Sequence, residues 1–456
     1  MATSVDSGRD VVISGGLLVT AESTVPADLM IRDGKVHAIS AQIHRAANQS
    51  VIDATGMLVL PGIVDAHVHP IYVDNPFDAS VSAAFGGVTT LIHFAYAKPG
   101  QKVLETLKQL RDEALAGSIL DFGLHAALFD VERQIQEVPS IVQSGTSSFK
   151  VFLTYAKLNW MTNDYWLTAL MDIVSEQKGL VMVHAENGLA TDFLEDKYLR
   201  LGLSGVETFA AMRPDVLEAE AVNRAIAIAH VTGCAVYIVH VSAAECLEPL
   251  RRALARGWNV YAETCPQYLV LDEDVTKRRG APAKIGPPLR TAEDCKALWK
   301  ALAEGVLMTV GSDHAPKLKA ANDDFFKAAF GAPQIETMLP VVYHWGINGG
   351  KITVNRLVDV MCETPAKIFG LYPRKGTLRI GSDADLVVFD PNHTHKVSVS
   401  TQHSRAMYTL YEGMELLGAP VLVMQRGEVI VRDGELGTAP GRAQYLPIKT
   451  AHLYDR

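Results

Sequence analysis

Residues 62–69 read Gly-Ile-Val-Asp-Ala-His-Val-His and form the first of eight short apolar runs in the middle of the chain. The other seven runs are residues 88–94, 122–128, 148–154, 180–185, 235–241, 259–264 and 306–312. Polar loops and helix-like stretches, such as residues 104–117, 165–179 and 218–233, separate the runs. Alternation of strands with helices predicts parallel strands joined by crossover helices. Eight units in about 310 residues predict an α/β fold, a TIM-like (β/α)8 barrel.

The alternative to a barrel is a doubly wound open sheet, which the lack of a Gly-x-Gly-x-x-Gly motif opening a helix disfavours. Both chain ends differ from the middle, because they contain β-branched runs broken by turns such as Asp33-Gly34 and Asp433-Gly434. We therefore predict a small β-sandwich domain built from residues 1–59 and 373–456. The barrel would occupy residues 60–372.

Composition narrows the classes of protein. The chain has 456 residues, with 42 Lys and Arg against 51 Asp and Glu, and a net charge of −9. No basic surplus is available to neutralise phosphates, so we expect no nucleic-acid partner. The five scattered cysteines form no Cys-x-x-Cys pair, which indicates reduced thiols. We see no signal peptide and no apolar run of 18 residues, so we expect a cytoplasmic protein without a membrane span.

Histidines and one aspartate recur where the apolar runs end, and a barrel carries its active site at that rim. His67 and His69 stand two residues apart and so face the same side of a strand. His184, His240 and Asp313 stand at the ends of three further runs. One such histidine is usually structural, but five convergent residues predict a metal site. Imidazole and carboxylate ligands suit zinc, with manganese and cobalt as alternatives.

Lys150 lies inside the fourth run, with apolar residues on both sides. A buried ammonium without a partner is costly. Two interpretations follow: the side chain is ion-paired or reaches solvent, or its amine is neutral and chemically modified.

Four further polar residues lie near strand ends and are weaker candidates. His93, His125 and Glu263 could contact the site from the second, third and seventh runs. His314 follows Asp313 and would point to the other side of a strand, so we expect it behind the ligands.

The sequence resembles the amidohydrolase superfamily, and within it the cyclic amidases: the dihydropyrimidinases and hydantoinases, with allantoinase and dihydroorotase more distant. The resemblance covers nearly the whole chain. It is carried by "PGIVDAHVHP", "GGVTTLIHF", "SSFKVFLTY", "VHAENG", "HVSAAE", "ETCPQYL", "GPPLR", "GSDHAP", "ETPAKIFGLYPRKGTLRIGSDADLVVFDP" and "GRAQYLP".

The resemblance implies two divalent metal ions and a lysine carbamylated by CO2 that bridges them. The six implied ligands are His67, His69, Lys150, His184, His240 and Asp313. A hydroxide shared by the ions would attack the amide carbonyl. Asp313 would act first as general base and then as general acid. Tyr155 would donate to the developing oxyanion.

Two positions depart from the family pattern. Gly286 stands before "PPLR" where the family usually has serine, and Phe330 stands before "GAP" where it often has asparagine. The resemblance implies that these positions hold the ring largely through backbone groups, so recognition of the ring can survive both changes. The sequence does not decide the pocket shape or the preferred ring. Ile71 stands where dihydroorotase-like enzymes have arginine, which argues against a ring carboxylate.

The loops after the first strands carry aromatic residues. Tyr72, Phe94 and Trp160 are expected, with Tyr155, Gly286 and Phe330, to contact the substrate. An aromatic lining indicates an apolar or aromatic ring substituent; ordinary loop packing is the alternative.

The expected function is hydrolysis of the cyclic amide C–N bond of a hydantoin or dihydropyrimidine ring, which gives an N-carbamoyl amino acid. An allantoinase or cyclic imidase is the alternative within the class. A non-catalytic assembly protein of the same fold is a remote alternative, because all six ligand positions are kept. The family also implies a homo-oligomer, commonly a tetramer. The tail after Gly441 is a weak candidate for a contact arm.

Overall fold

The computed structural model describes residues 10–44 and 49–450. The N-terminal part consists of short strands with glycine turns between them, as the sequence predicts. These strands are β1 (Val11–Ser14), β2 (Leu17–Val19), β3 (Thr24–Pro26), β4 (Asp28–Arg32), β5 (Lys35–Ser40), β6 (Ser50–Asp53) and β7 (Leu58–Pro61).

The middle of the chain forms eight parallel strands that neighbour one another in chain order, which confirms the predicted barrel. They are β8 (Ile63–Val68), β9 (Val88–Ala97), β10 (Asp121–Leu128), β11 (Ser148–Phe152), β12 (Leu180–His184), β13 (Ala235–Ile238), β14 (Val260–Thr264) and β15 (Thr309–Val310). The first and last strands approach each other through a bridge between Val68 and His314. The amide of His69 also donates to the carbonyl of His314 at 3.0 Å. These contacts close the barrel at the rim that carries the predicted site.

Helices cover the outside of the barrel, and their apolar residues recur every three or four positions. In α2 the buried residues Leu107, Leu110 and Ala114 form one face against the strands. The α-helices are α1 (Pro76–Phe85), α2 (Val103–Gly117), α3 (Val131–Gln134), α4 (Val138–Gln143), α5 (Asp164–Glu176), α6 (Gly188–Arg200), α7 (Phe209–Met212), α8 (Asp215–Thr232), α9 (Leu247–Ala255), α10 (Pro266–Val270), α11 (Glu273–Arg279), α12 (Ala292–Glu304), α13 (Met338–Val342), α14 (Val354–Val358) and α15 (Thr364–Ile368). Short 3-10 helices span Ile135–Glu137, Ala156–Leu158, Val206–Thr208, Ala244–Cys246, Ala281–Ala283, Ile335–Thr337 and Val399–Thr401, and π-helical turns span Tyr343–Asn348 and Asp359–Glu363.

The two chain ends form separate sheets that share a core. The C-terminal strands are β16 (Leu386–Lys396), β17 (Glu415–Gln425), β18 (Glu428–Arg432) and β19 (Glu435–Leu436). One sheet has the order β5-β4-β1-β6 and the other β19-β18-β17-β16-β7-β2-β3, so the second joins both ends of the chain. Buried residues such as Ile13, Leu29, Leu386 and Met424 pack between them. The sandwich from both termini is confirmed, whereas the domain boundaries at 59/60 and 372/373 stay predictions.

The lower end of the barrel, where the strands begin, is sealed by the C-terminal tail. The amide of Leu446 donates to the carbonyl of Phe122 at 2.7 Å, and the amide of Ile448 donates to that of Gly145 at 2.8 Å. Leu446 and Ile448 are buried with the residues of the barrel interior. Residues 442–450 thus pack on their own barrel, and residues 451–456 lie outside the described part of the chain.

A helix that crosses a lipid bilayer must be both long and apolar. Within residues 10–44 and 49–450, no helix combines the length and the apolar character that a crossing needs.

Candidate active site

The upper rim of the barrel opens into a cavity of about 410 Å³, a size typical of small-molecule sites. All six predicted metal ligands contribute to its wall. They are His67, His69, Lys150, His184, His240 and Asp313. Lys150 lies in the middle of β11, and each of the others comes from the carboxyl end of a barrel strand or from the loop directly after it, which is why residues far apart in sequence meet here.

His67, His69 and Asp313 form the tightest group. The Asp313 Oδ1 atom lies 3.2 Å from His67 Nε2 and 3.0 Å from His69 Nε2. One nitrogen or oxygen atom from each of the three residues lies within 4.8 Å of the others. Burial opposes ionisation of Asp313, but His67 and His69 hold the pKa of its carboxyl well below the ordinary value. The group is therefore a carboxylate that attracts positive charge.

His184 and His240 form the adjacent half of the site. Their ring centroids are 4.4 Å apart, and the ring of His240 lies 5.4 Å from that of His67. The Nδ1 atom of His240 is buried without a hydrogen-bond partner among the described residues. Burial also holds the pKa of His240 well below its ordinary value, so the ring is neutral and can offer a lone pair.

Polar partners fix the orientation of the first two histidine rings. The Nδ1 atom of His67 lies 2.6 Å from Glu263 Oε1, and that of His69 lies 2.8 Å from the Tyr96 hydroxyl. Each contact directs the opposite nitrogen, Nε2, to Asp313. Such outer contacts set the tautomer and the direction of a ligating histidine.

The third ring, His184, is held by a buried ion pair. Its Nε2 atom lies 2.7 Å from Glu186 Oε2. The Arg213 guanidinium donates to both carboxylate oxygens of Glu186, at 2.9 Å and 2.6 Å. The carboxylate is thus held in place on one side by the guanidinium and on the other by the imidazole, which leaves Nδ1 of His184 for the site.

Lys150 lies between the two halves and is 1% exposed. Its Nζ atom has no hydrogen-bond partner among the described residues, and it stands 5.7 Å and 5.2 Å from the ring centroids of Phe94 and Phe152. Burial lowers the pKa of Lys150 to about 7. The first interpretation of this lysine, a solvent-reaching or ion-paired side chain, is therefore wrong. The neutral amine has a substantial population near neutral pH.

Three residues that contribute to the site have a strained backbone. Tyr155, His240 and Asp313 have φ angles of 64°, 40° and 51°, in the left-handed region that side chains rarely adopt. Residues held in this region cost about 1–3 kcal/mol each and cluster at functional sites. The fold therefore stabilises an unfavourable backbone in order to point these three side chains into the cavity.

Comparison with known proteins places this geometry in a family. The sequence pattern described as "Amidohydrolase family" matches residues 58–430. The chain belongs to the amidohydrolase family. It is 39% identical over 452 residues to a protein named D-hydantoinase from Rhizobium radiobacter, covering 96% of this chain and 98% of that protein. It is 37% identical over 455 residues to a D-hydantoinase from Geobacillus stearothermophilus, covering 95% and 96%.

Solved structures agree with the sequence comparison. A crystal structure of dihydropyrimidinase from Brevibacillus agri superposes with a TM-score of 0.93 at 36% identity. The match covers 97% of this chain and 99% of that one. The resemblance read from the sequence is confirmed, both for the amidohydrolase family and for its hydantoinase and dihydropyrimidinase group.

Most of the predicted substrate contacts of this amidohydrolase line the cavity. They are Tyr72, Tyr155, Trp160, Gly286 and Phe330. Phe94 does not line it: its ring is fully buried and stacks on His69 with a centroid separation of 4.9 Å. Phe94 sits inside strand β9, below the loop that was expected to carry it, and supports the imidazoles.

The two departures from the family pattern, Gly286 and Phe330, lie against each other. A Cβ atom on Gly286 would come 3.1 Å from the Phe330 ring and 2.7 Å from the Tyr155 hydroxyl. Since real Cβ atoms essentially never come within 3.0 Å of another atom, a larger residue at position 286 would have to displace the Tyr155 hydroxyl. The larger Phe330 and the smaller Gly286 therefore compensate each other.

Of the weaker candidates, Glu263 reaches the site and His125 does not. Glu263 contacts the site through His67. His125 bonds to Ser148 Oγ at 2.6 Å and to the carbonyl of Ala66 at 3.0 Å, inside the barrel.

His314 and His93 are the two remaining candidates. His314 contacts Asp74 at 3.0 Å, away from the cluster, as its position next to Asp313 predicts. Both ring nitrogens of His93 lack a hydrogen-bond partner among the described residues.

Three partners were missed by the sequence analysis: Tyr96 as a contact of His69, and the pair Glu186 and Arg213. Glu186 had a signal, because it stands two residues after His184 and so can share its side of the chain. Arg213 lies in the segment between α7 and α8 and had no local signal.

Proposed function

We propose that this amidohydrolase hydrolyses the C–N bond of a cyclic amide in a hydantoin or dihydropyrimidine ring and releases an N-carbamoyl amino acid. The observation that carries the proposal is the meeting of five histidine and aspartate side chains around the unpartnered Nζ atom of Lys150. The names of the similar proteins support the class of ring.

The donor set fits two divalent metal ions, with zinc first and manganese or cobalt as alternatives. His67, His69 and Asp313 would hold one ion. His184 and His240 would hold the other, and the orphaned Nδ1 atom of His240 supports this assignment. When bound, such a pair lowers the pKa of a shared water and polarises a carbonyl.

Lys150 would join the two halves as a carbamate. Its neutral amine adds to the carbon of CO2, an N–C bond forms, and one N–H proton leaves to solvent. The product is an anion with two oxygens in place of an ammonium. The missing hydrogen-bond partner and the pKa of about 7 support this modification.

Asp313 would move the proton. Its carboxylate accepts a proton from the attacking water and returns it to the ring nitrogen as the C–N bond breaks. Burial raises the pKa of Tyr155, so its hydroxyl keeps its proton and can donate to the oxyanion. Tyr155 is positioned by its left-handed backbone and by the close approach of Gly286.

We further propose a homotetramer, which the family resemblance supports, and a location in the cytoplasm. Sedimentation at micromolar concentration tests the assembly, since a mass equal to one 49.5 kDa chain would contradict it.

The function is tested with a substrate panel on protein of known metal content. Hydantoin, dihydrouracil, 5-phenylhydantoin, allantoin and succinimide are compared before and after chelation and after return of zinc, manganese or cobalt. We expect turnover of hydantoin or dihydrouracil that is lost on chelation and restored by metal. Turnover of allantoin or succinimide alone would contradict the ring class, and full activity without metal would contradict the mechanism.

A further inference from the structure

Three lysines stand around the outer part of the cavity, away from Lys150. Lys284 and Lys317 line the cavity, and Lys319 stands behind them with its Nζ atom 3.0 Å from the carbonyl oxygen of Lys284. We name Lys284, Lys317 and Lys319 the cationic arc. None of the three was singled out by the sequence analysis, because none lies within one of the quoted motifs.

Lys284 is buried on the cavity wall, with 5% of its surface exposed. Its ammonium lies 4.8 Å from the ring centroid of Phe330 and donates to the carbonyl of Phe326 at 2.9 Å. Among the described residues it forms no ion pair with a carboxylate. One hydrogen bond leaves two of its three N–H donors for another acceptor.

Lys317 lies at the other end of the arc. Its ammonium sits over the ring of Tyr72, and the described residues offer it neither a hydrogen bond nor an ion pair. Burial and the neighbouring ammonium of Lys319 lower the pKa of Lys317 to about 6. Burial likewise lowers the pKa of Lys319 to about 7 and that of Lys284 to about 8. All three lysines thus lie where an added negative charge would be favourable.

The carboxylates near the arc already have partners. Glu195 pairs with Lys157 at 3.0 Å, and Asp192 accepts from the backbone amide of the same lysine. Asp313, whose charge also reaches Lys317, is bonded to His69. The outer cavity therefore holds three amines that no described carboxylate pairs with, and a bound anion would stabilise their protonated forms.

We propose that the cationic arc binds a carboxylate on the ring substituent, so that the favoured substrates are cyclic amides with an acidic side chain. This inference rests on the proposed function. The rings of Tyr72 and Phe330 border Lys317 and Lys284, so an apolar stem with a terminal carboxylate matches the wall.

The chemistry of the product favours a carboxylate over other anions. Opening of a hydantoin ring turns the ring substituent into the side chain of an N-carbamoyl amino acid. Carboxylates are the side-chain anions that amino acids carry at neutral pH. A carboxylate also accepts strong, charge-assisted hydrogen bonds from an ammonium group, which suits a lysine on the cavity wall.

The test compares two substrates of nearly equal shape, 5-(2-carboxyethyl)hydantoin and its neutral amide, 5-(2-carbamoylethyl)hydantoin. The metal-loaded enzyme should favour the acid over the amide by about tenfold in kcat/KM, the expected size of one charge-assisted hydrogen bond. In Lys317→Gln this ratio should fall by about tenfold, mainly through the KM of the acid.

Lys327→Gln is the matched control. Lys327 lines the same cavity, but its side chain is 86% exposed and pairs with Asp324. Its removal should leave the acid-to-amide ratio unchanged. Lys317→Glu should lower the ratio further than Lys317→Gln, because it places a negative charge beside the acid.

The outcomes separate this inference from the function on which it rests. Turnover of the amide without preference for the acid would overturn the arc alone. An unchanged ratio in Lys317→Gln, or an equal fall in Lys327→Gln, would do the same. Failure to hydrolyse either substrate, while hydantoin or dihydrouracil is still turned over, would also overturn the arc alone. Failure on all four compounds would overturn the proposed function and the arc with it.

Discussion

Two buried lysines stand at opposite ends of the barrel, each about 1% exposed. At the lower end, Lys375 lies 2.7 Å from Asp121 and from Asp385, and 3.1 Å from Asp383. At the upper end, Lys150 has no such partner among the described residues. The three carboxylates raise the pKa of Lys375 despite its burial, whereas burial lowers that of Lys150 to about 7.

The comparison separates a structural lysine from a chemical one. Burial is the same at both ends, so burial alone does not mark function. The number of neighbouring carboxylates distinguishes the two lysines. A buried ammonium that is paired with carboxylates holds segments of the chain together, whereas a buried ammonium without such partners loses its proton readily and can react. The lower cluster ties the first residue of β10, Asp121, to the segment before β16.

The largest expected effect comes from Lys150→Met, which removes the amine and keeps the volume. Hydrolysis should fall by at least about 10³-fold, because the carbamate that would join the two metal ions is lost. The melting temperature of the chelated protein should not fall, since the change removes a buried polar group that has no partner. Activity assays, metal analysis and thermal melting measure the three quantities. Retained metal and activity would contradict the role of Lys150.

The same substitution at the other end, Lys375→Met, should act on stability. It leaves the buried carboxylates of Asp121 and Asp385 without their nearest cation, so the free energy of unfolding should fall by about 3–5 kcal/mol. The value of kcat/KM per folded molecule should stay close to that of the parent protein. Denaturant unfolding and an assay at low temperature test the two parts. A Lys375→Met protein that is fully stable but inactive would contradict the structural role of Lys375.

Two Tyr→Phe substitutions, one at each end of the barrel, should have smaller effects than the two lysine substitutions. Tyr155→Phe should lower kcat/KM by about 10²- to 10³-fold through loss of an oxyanion donor. Tyr445→Phe, in the tail below the barrel, removes a hydrogen bond of 3.2 Å to the carbonyl of Gly145. It should cost about 1 kcal/mol of stability and leave the rate unchanged. Equal losses of rate in both variants would argue against a specific role for Tyr155.

The barrel could be predicted because strands buried on both faces read as continuous apolar runs. An apolar run does not give the exact length of a strand, however: in the run at 306–312 only Thr309–Val310 forms a strand. The two histidines at 67 and 69 could be placed on one face because side chains alternate along a strand.

Contacts between distant strands could not be predicted in the same way. The hydrogen bond between Glu263 and His67 depends on the relative positions of β14 and β8, and the sequence around either residue does not indicate those positions. Phe94 illustrates the same limit, because its place depends on how far β9 extends: the strand continues to Ala97 and keeps the ring below the rim. The fit of Gly286 against Phe330 also joins two loops far apart in sequence.

The sheet that joins both chain ends has a consequence for synthesis of the protein. Strand β7 pairs with β16, and about 325 residues separate Pro61 from Leu386. A ribosome adding about 5–20 residues per second needs about 16–65 s to make that stretch. The early strands therefore leave the ribosome with an open edge, of the kind that recruits other chains. The whole barrel is made before that edge can be covered, so the nascent N-terminal segment needs protection before the finished enzyme does.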